Sequence, residues 1–276
     1  MIEFLISILQ DDFRVAVLSR GYGRKSQGFV LADSKSSVEV LGDEPFQIYS
    51  KFPKIILAVD TNRQSGISRL EDTFKPDVIL LDDAFQHRKV KPGFSILLTA
   101  YGNLYADDWY LPTGSLRDSK QEAQRADLIV VTKCPADIGN EDKEAIRLTL
   151  KLGSRQALAF SKLVYAPLLK GIAGDVSVEE LRNRKITLVT GIANPEPLVV
   201  YLKDQGLIFE HLKFRDHHFF TESEFRLLRE KECVITTEKD YVRLENELDN
   251  LYYIRVAHEF LNGSEEMIRG FLKEII

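Results

Sequence analysis

Short apolar runs rich in β-branched residues alternate along this chain with longer amphipathic stretches. Most of the runs are apolar throughout, which is typical of parallel strands covered on both faces. Strands interleaved with helices predict a doubly wound α/β architecture with a mostly parallel sheet. We expect strands at Arg14–Ser19, Lys54–Val59, Asp77–Leu81, Phe94–Thr99, Asp127–Thr132, Lys185–Thr190, Cys233–Thr237 and Leu251–Val256. We expect helices at Pro45–Tyr49, Ser65–Thr73, Glu141–Leu152, Pro195–Asp204, Glu222–Lys231 and Ser264–Ile276.

The alternation of strands and helices is interrupted near the middle of the chain. Ala157–Leu169 has the pattern of two extended pieces, Gly171–Val176 is rich in turn residues, and the alternation restarts after Lys185. This predicts a larger N-terminal domain at 1–160, linker strands at 161–184 and a smaller α/β domain at 185–276. A cleft between two such domains is where ligands usually bind.

The composition excludes several classes of protein. The 276 residues are 44% hydrophobic and 29% charged with a formal net charge of -5, so no basic excess points to nucleic acid as a partner. Net charge leaves open a local basic site for an anionic ligand.

The two cysteines, Cys134 and Cys233, lie far apart without metal-ligand spacing and are expected to be reduced thiols. No 18-residue apolar window predicts a membrane span, and the N-terminus lacks the features of a signal peptide.

The first residues are unusual for a doubly wound fold, which usually opens with a buried strand. Ile2, Leu5, Ile6 and Leu9 fall on one face at helical spacing, and no capping residue precedes Met1. We therefore expect that the helix is cut at its start and that a strand belongs before it.

The run Leu18–Arg24 directly follows a predicted strand and contains two glycines and two arginines. A dinucleotide-binding loop would need a third glycine and a following helix, so that interpretation is disfavoured. Arg20 and Arg24 among glycines suit contact with a phosphate, while a solvated turn is the simpler alternative.

The run Gly42–Pro45 precedes a predicted helix. Asp43 suits the cap of that helix, because a short side-chain oxygen accepts hydrogen bonds from unpaired N–H groups. At the turn before a helix it is equally well placed to take a proton from a hydroxyl group. The local sequence leaves both roles open.

Two carboxylates, Asp82 and Asp83, stand at the carboxyl end of an apolar strand within Leu80–His87. Ligands of open α/β sheets bind outside such strand ends, and adjacent acids there are similar to a Walker B element that holds Mg²⁺. The alternative is a polar start to a loop.

In the run Leu111–Asp118, Arg117 either binds a phosphate or pairs with Asp118.

Two further runs lie in the second half of the chain. Asp216–His218 precedes the predicted helix cap Thr221, and an isolated histidine is more often structural than catalytic. Thr236–Asp240 ends another apolar strand at the ligand-facing edge, where the alternative is a helix N-terminus with favourable acids.

As an ordered set, these runs resemble one family, tetraacyldisaccharide 4′-kinase, the lipid A 4′-kinases. The resemblance covers nearly the whole chain, and the set is more specific than any single run. It implies a P-loop NTPase type of fold with a second, smaller α/β domain. It also implies transfer of the ATP γ-phosphate, with Mg²⁺, to the 4′-hydroxyl of a tetraacylated glucosamine disaccharide 1-phosphate. Family members work at the cytoplasmic face of the inner membrane, and no protein partner is implied.

The resemblance also implies roles for individual residues. Asp43 matches the general base and His217 the histidine that supports it. Asp82 and Asp83, with Glu44, match acids associated with Mg²⁺. The residues that match positions around the nucleotide and its phosphates are Arg20, Arg63, Arg117, Asp118, Gln86 and His87.

The chain departs from the family pattern in four ways. No Gly-x-x-x-x-Gly-Lys-[Ser/Thr] loop occurs in the chain. In the family, that loop immediately precedes the helix that here begins at Met1. The family's N-terminal membrane-binding helix is missing as well. Asp118 stands where the family more often has Glu, and Ala84 stands where it usually has Gly.

We expect residues 1–276 by themselves to be inactive, because that loop supplies charge and a backbone cradle for the phosphates. The alternatives are a catalytically dead module that still binds the lipid disaccharide, and a nucleotide-sugar transferase.

Overall fold

The computed structural model describes all residues 1–276 and confirms a mixed α/β architecture. None of its helices has the length and apolar character that crossing a membrane requires. The strands are β1 Val15–Ser19, β2 Val30–Leu31, β3 Ile56–Val59, β4 Val78–Leu81, β5 Ile96–Ala100, β6 Leu128–Thr132, β7 Ala157–Tyr165, β8 Leu168–Gly171, β9 Val176–Ser177, β10 Ile186–Thr190, β11 Phe209–Lys213, β12 Cys233–Thr237, β13 Leu251–Ile254 and β14 Val256–Phe260. The α-helices are α1 Ile2–Leu9, α2 Val38–Leu41, α3 Asp43–Lys51, α4 Arg63–Phe74, α5 Asn140–Leu150, α6 Glu196–Asp204, α7 Glu222–Arg229, α8 Glu238–Leu244 and α9 Ser264–Ile275, with short 3-10 helices at Lys120–Arg125 and Glu179–Leu181.

The predicted strands and helices are all present, with ends that differ by one or two residues. β9, β11, β14 and α2 are absent from the predicted elements, and α8 was predicted only as the alternative for Thr236–Asp240. β11 and β14 are edge strands with mixed polar and apolar residues and no fully buried position, so they lack the continuous apolar run that marked the others.

The first sheet has the order β2-β3-β1-β4, and its three longer strands are parallel. All five residues of β1 are buried, as expected for a strand covered on both faces. Leu18 of β1 pairs with Ala58 of β3 and with Leu81 of β4. This register aligns the carboxyl ends of the strands, so Ser19, Asp60 and Asp82 leave the sheet at one edge.

The second sheet has the order β14-β7-β6-β5, and only β14 runs antiparallel. The first two sheets end on β4 and β5, whose outer edges pair with no other strand. Residues of both edge strands line one cavity of about 1340 Å³, called the large cavity below. The further strand expected before α1 stays a prediction.

The end of the chain returns to the N-terminal half. β14 pairs with β7, and Ile268 and Leu272 of α9 lie in the same hydrophobic core as α1 and β1. Residues 185–276 were expected to form one C-terminal domain, whereas 256–276 pair and pack with the first half. An apolar pattern shows that a strand exists, but it does not show which sheet the strand joins.

The third sheet has the order β11-β10-β12-β13-β8-β9, with a parallel centre from β11 to β13. Its core includes the fully buried Leu188 and Ile235. Helix α8 follows β12 and faces α3 of the N-terminal half. Lys51 of α3 joins the two helices, because its Nζ lies 3.2 Å from Glu238 of α8 and 2.6 Å from Glu3 of α1.

The partly buried His258 of β14 predicts a pH-dependent stability. His258 contacts the hydroxyl of the fully buried Ser161 at 3.1 Å, and burial lowers the pKa of His258 from 6.5 to about 4. Between these values the unfolded chain binds a proton that the folded chain does not, so the free energy of unfolding falls as pH drops through this window. We expect a loss of about 1–2 kcal/mol after discounting for partial exposure, measured by urea denaturation. His258→Gln cannot titrate and should weaken this dependence; an identical dependence in both proteins would contradict the assignment.

Candidate active site

The loop after β1 lies against the start of α3, and two glycines allow this close approach. Gly21 and Gly42 have φ angles of 69° and 90°, values that side chains disfavour. A Cβ atom at Gly42 would lie 2.7 Å from the carbonyl oxygen of Tyr22. The loop leads into β2 and not into a helix, which argues against a dinucleotide-binding role. Its path places the Tyr22 ring 5.7 Å from the ring of His217.

Asp43 is the first residue of α3, and as a residue it is 3% exposed. Oδ2 lies 2.6 Å from Nδ1 of His217, and Oδ1 accepts a hydrogen bond of 3.0 Å from Nε of Arg243. Nη2 of Arg243 also donates to Oδ2. The helix cap is Gly42, and Asp43 makes no capping hydrogen bond, so the capping alternative is wrong. Because an ionised carboxylate only accepts hydrogen bonds, Nδ1 of His217 is the protonated ring nitrogen.

His217 lies in the loop after β11 with φ of 57°, a left-handed conformation that few residues other than glycine adopt. Its backbone N–H donates to the carbonyl of Gly191 at 3.2 Å and to Asp216 at 3.1 Å. The N–H of Gly191 in turn donates to Asp240 of α8 at 2.8 Å. The buried Asp240 therefore supports the loop that carries His217.

Helix α8 supplies further side chains to this site. Thr237 caps the helix by accepting a hydrogen bond from the N–H of Asp240. Lys239 places Nζ 3.2 Å from Nε2 of His217 and 3.0 Å from Asp216. The sequence predicts a ligand-facing position for Thr236–Asp240, but Lys239 and Arg243 were not predicted as site residues. Their i, i+4 spacing after a cap was the available signal, since it puts both side chains on one helical face.

The two adjacent acids after β4 differ in their surroundings. Asp82 accepts a hydrogen bond of 3.1 Å from the hydroxyl of Ser19. Burial raises the pKa of Asp82, and the charges of Asp83 and Glu44 raise it further. Asp83 is exposed and has φ of 44°, so the positive φ falls on this residue and not on Ala84. The replacement of Gly by Ala at position 84 is therefore compatible with the backbone.

Seven of the eleven predicted site residues line one of two neighbouring cavities. Glu44, Asp82, Asp83, Gln86 and His87 line the large cavity. Asp43 and His217 line a small cavity of about 50 Å³ together with Tyr22. Lys239 lines the large cavity and contacts His217, so it lies between the two groups.

The predicted phosphate-binding arginines differ from one another in the structure. Arg63 is 3% exposed and donates to the carbonyl oxygens of Asp60 at 2.9 Å and Asp82 at 2.8 Å. Arg63 thereby ties the ends of β3 and β4 together. Arg20 and Arg117 are exposed and make no hydrogen bond or ion pair with another residue.

Asp118 has a different partner from the one weighed in the sequence. It accepts two hydrogen bonds from Arg88, at 2.7 and 2.9 Å, so the alternative of an Arg117–Asp118 pair is wrong. A residue 30 positions away reaches Asp118 instead.

A family model described as LpxK, tetraacyldisaccharide-1-P 4′-kinase, matches residues 1–275. The chain belongs to this family. It is 47% identical over 280 residues to the tetraacyldisaccharide 4′-kinase of Flavobacterium johnsoniae, covering 99% of this chain and 82% of that relative. It is 43% identical over 303 residues to that of Bacteroides thetaiotaomicron, covering 99% of this chain and 80% of the relative. These names make the chain a member of a family of kinases.

The fold is similar to a solved LpxK structure. The crystal structure of an "apo" form of LpxK from Aquifex aeolicus in complex with ATP matches with a TM-score of 0.77 at 26% identity, covering 99% of this chain and 82% of that chain. The expected α/β fold of P-loop NTPase type is thereby confirmed for this LpxK family member.

The buried Arg63 predicts a structural effect of substitution. Arg63→Met leaves the carbonyl oxygens of Asp60 and Asp82 without their hydrogen-bond donors, which lowers the free energy of unfolding. The substitution also removes a buried charge, which offsets part of this loss. We expect the free energy of unfolding to fall by about 2 kcal/mol. Urea denaturation measures this change. The control is Arg155→Met, at an exposed arginine without an ion pair, expected within about 0.5 kcal/mol of wild type. Equal effects of the two substitutions would contradict the structural role of Arg63.

Proposed function

We propose that this chain phosphorylates the 4′-hydroxyl of a tetraacylated glucosamine disaccharide 1-phosphate with ATP as the donor, a step of lipid A biosynthesis. The observation that carries the proposal is the 2.6 Å contact between Asp43 and His217, two residues 174 positions apart. A buried carboxylate joined to a histidine is a suitable proton acceptor for a sugar hydroxyl. The names of the relatives and the ATP complex of the structural neighbour support the choice of substrates.

The proposed reaction is one displacement at phosphorus. The 4′-oxygen forms a bond to the γ-phosphorus while the bond from that phosphorus to the β–γ bridging oxygen breaks, which releases ADP. The hydroxyl proton passes to Asp43, and His217 supports the carboxylate through its Nδ1–H. Positioning and stabilisation of charge supply most of the rate in phosphoryl transfer.

Asp82, Asp83 and Glu44 are the residues proposed to hold Mg²⁺. Mg²⁺ is usually bound by one or two carboxylates together with water and phosphate oxygens, so it needs no full protein cage. These side chains do not form a cluster of three that could hold a metal ion by itself, so water and phosphate oxygens would complete the coordination. Burial raises the pKa of Asp82, and a bound cation would favour its charged form. When bound, Mg²⁺ would neutralise the charge of the phosphate oxygens.

Four residues are proposed to face the nucleotide and its phosphates. Arg20 and Arg117 have guanidinium groups that no other residue engages. His87 lines the large cavity and has a buried Nε2 without a partner, and burial lowers its pKa. Gln86 lines the same cavity. The proposed role of Asp118 is indirect, because its carboxylate accepts hydrogen bonds from Arg88 and holds that side chain in place.

The location of the enzyme follows from the proposed substrate. A tetraacylated disaccharide keeps its acyl chains in a bilayer, so we propose that the enzyme works at the cytoplasmic face of the inner membrane. The expectations of an upstream phosphate-binding loop and membrane-binding segment, and of inactivity for residues 1–276 alone, stay predictions.

Asp43→Asn tests the proposed base in the product of the complete gene, assayed with labelled ATP and the lipid disaccharide. Asn cannot accept the proton, so kcat should fall about 10²- to 10⁴-fold while KM changes little. The matched control is Asp249→Asn, an exposed position where kcat should stay unchanged.

Two outcomes would count against the proposal. Near-wild-type kcat in Asp43→Asn would remove Asp43 as the base. Tight binding of the lipid disaccharide without ATP consumption by the wild-type protein would favour a binding module, which the kinase names of the relatives do not favour.

A further inference from the structure

Arg243 has every nitrogen of its guanidinium group engaged at the Asp43–His217 pair. Nε and Nη2 form a fork on the Asp43 carboxylate, and Nη1 donates to the carbonyl oxygen of His218. The guanidinium also lies over the ring of Phe219, 4.5 Å from its centre. The side chain of Arg243 is only 8% exposed, so these contacts replace most of its water.

The partners of Arg243 belong to both halves of the chain. Asp43 begins α3 in the N-terminal half, whereas His218 and Phe219 belong to the loop after β11 that also carries His217. A fork of two parallel N–H donors sets the plane of a carboxylate as well as its position. The bond to His218 meanwhile holds the residue next to the left-handed His217.

The arrangement makes Arg243 necessary for the orientation of both members of the pair. Without it, a carboxylate that is 3% exposed would keep one side-chain partner, His217. A buried carboxylate with unsatisfied oxygens rotates or draws in water. Nδ1 of His217 would then no longer meet Oδ2 at hydrogen-bond distance.

We propose that Arg243 is the positioning residue of this kinase: it orients the Asp43 carboxylate and the His217 loop so that the two form one proton-accepting unit. The inference rests on the proposed function of the Asp43–His217 pair. Arg243 touches no reacting atom in this assignment, because it acts through Asp43 and through the backbone of the His217 loop.

A general tie between the two halves is the simpler role for Arg243, and the chain offers a matched control for it. Lys51 joins α3 to α8, the same two helices, through its ion pair with Glu238, and it is similarly buried with 18% of its side chain exposed. Lys51 does not contact Asp43 or His217. Lys51→Met therefore weakens the tie between the halves but leaves the pair intact.

Nuclear magnetic resonance of the histidine-labelled 276-residue chain tests the positioning role without an activity assay. We expect a downfield, slowly exchanging imidazole N–H resonance from His217 Nδ1, assigned by its loss in His217→Gln. Arg243→Met should abolish it or speed its exchange at least about tenfold, whereas Lys51→Met should keep it. Equal loss in both variants, or retention in Arg243→Met, would overturn the proposal.

Kinetics of the complete gene product give the second readout. Arg243→Met should lower kcat about 10- to 100-fold with KM changed less than about threefold, because misorientation of the proton acceptor acts on the transition state. Arg243→Lys keeps the charge without the fork and should recover part of kcat. Wild-type kcat in Arg243→Met would overturn the proposal while leaving the 4′-kinase function in place. Absence of phosphoryl transfer in the wild-type gene product, together with the expected resonances, would instead overturn the proposed function.

Discussion

Asp43 carries a buried carboxylate that three side-chain nitrogens from the other half of the chain hold in place. Two belong to Arg243 of α8 and one to His217 of the loop after β11. Burial of a carboxylate is costly unless its oxygens are paired, so Asp43 requires both partners once α3 lies against α8. The site therefore exists only when the two halves of the chain meet.

Several contacts around this carboxylate fix the position of one half of the chain relative to the other. Gly42 admits the loop that brings Tyr22 beside His217. Asp240 holds Gly191, and the carbonyl of Gly191 accepts the N–H of His217. Helix α8 thus supports the pair through Asp240 as well as through Arg243. Lys239 connects the pair to the large cavity, whose lining includes Asp82 and Asp83.

Much of the fold and part of the site follow from the sequence, for identifiable reasons. Continuous apolar runs predicted the buried strands. The family resemblance of the ordered motifs implied that Asp43 and His217 act together, and the structure places the two side chains in contact. The role of Arg243 was missed, because it depends on a side chain reaching a residue 200 positions away. The burial of Arg63 and the return of β14 to the N-terminal half were missed for the same reason, since long-range packing leaves no local pattern.

The central claim is that Asp43 and His217 act as one unit, and a double-mutant cycle on kcat tests it most directly. The proteins compared are the complete gene product, Asp43→Ala, His217→Ala and the double variant. Residues that share one proton-accepting function lose it once, so the double variant should be little worse than the worse single variant. Independent effects that multiply in the double variant would contradict the account.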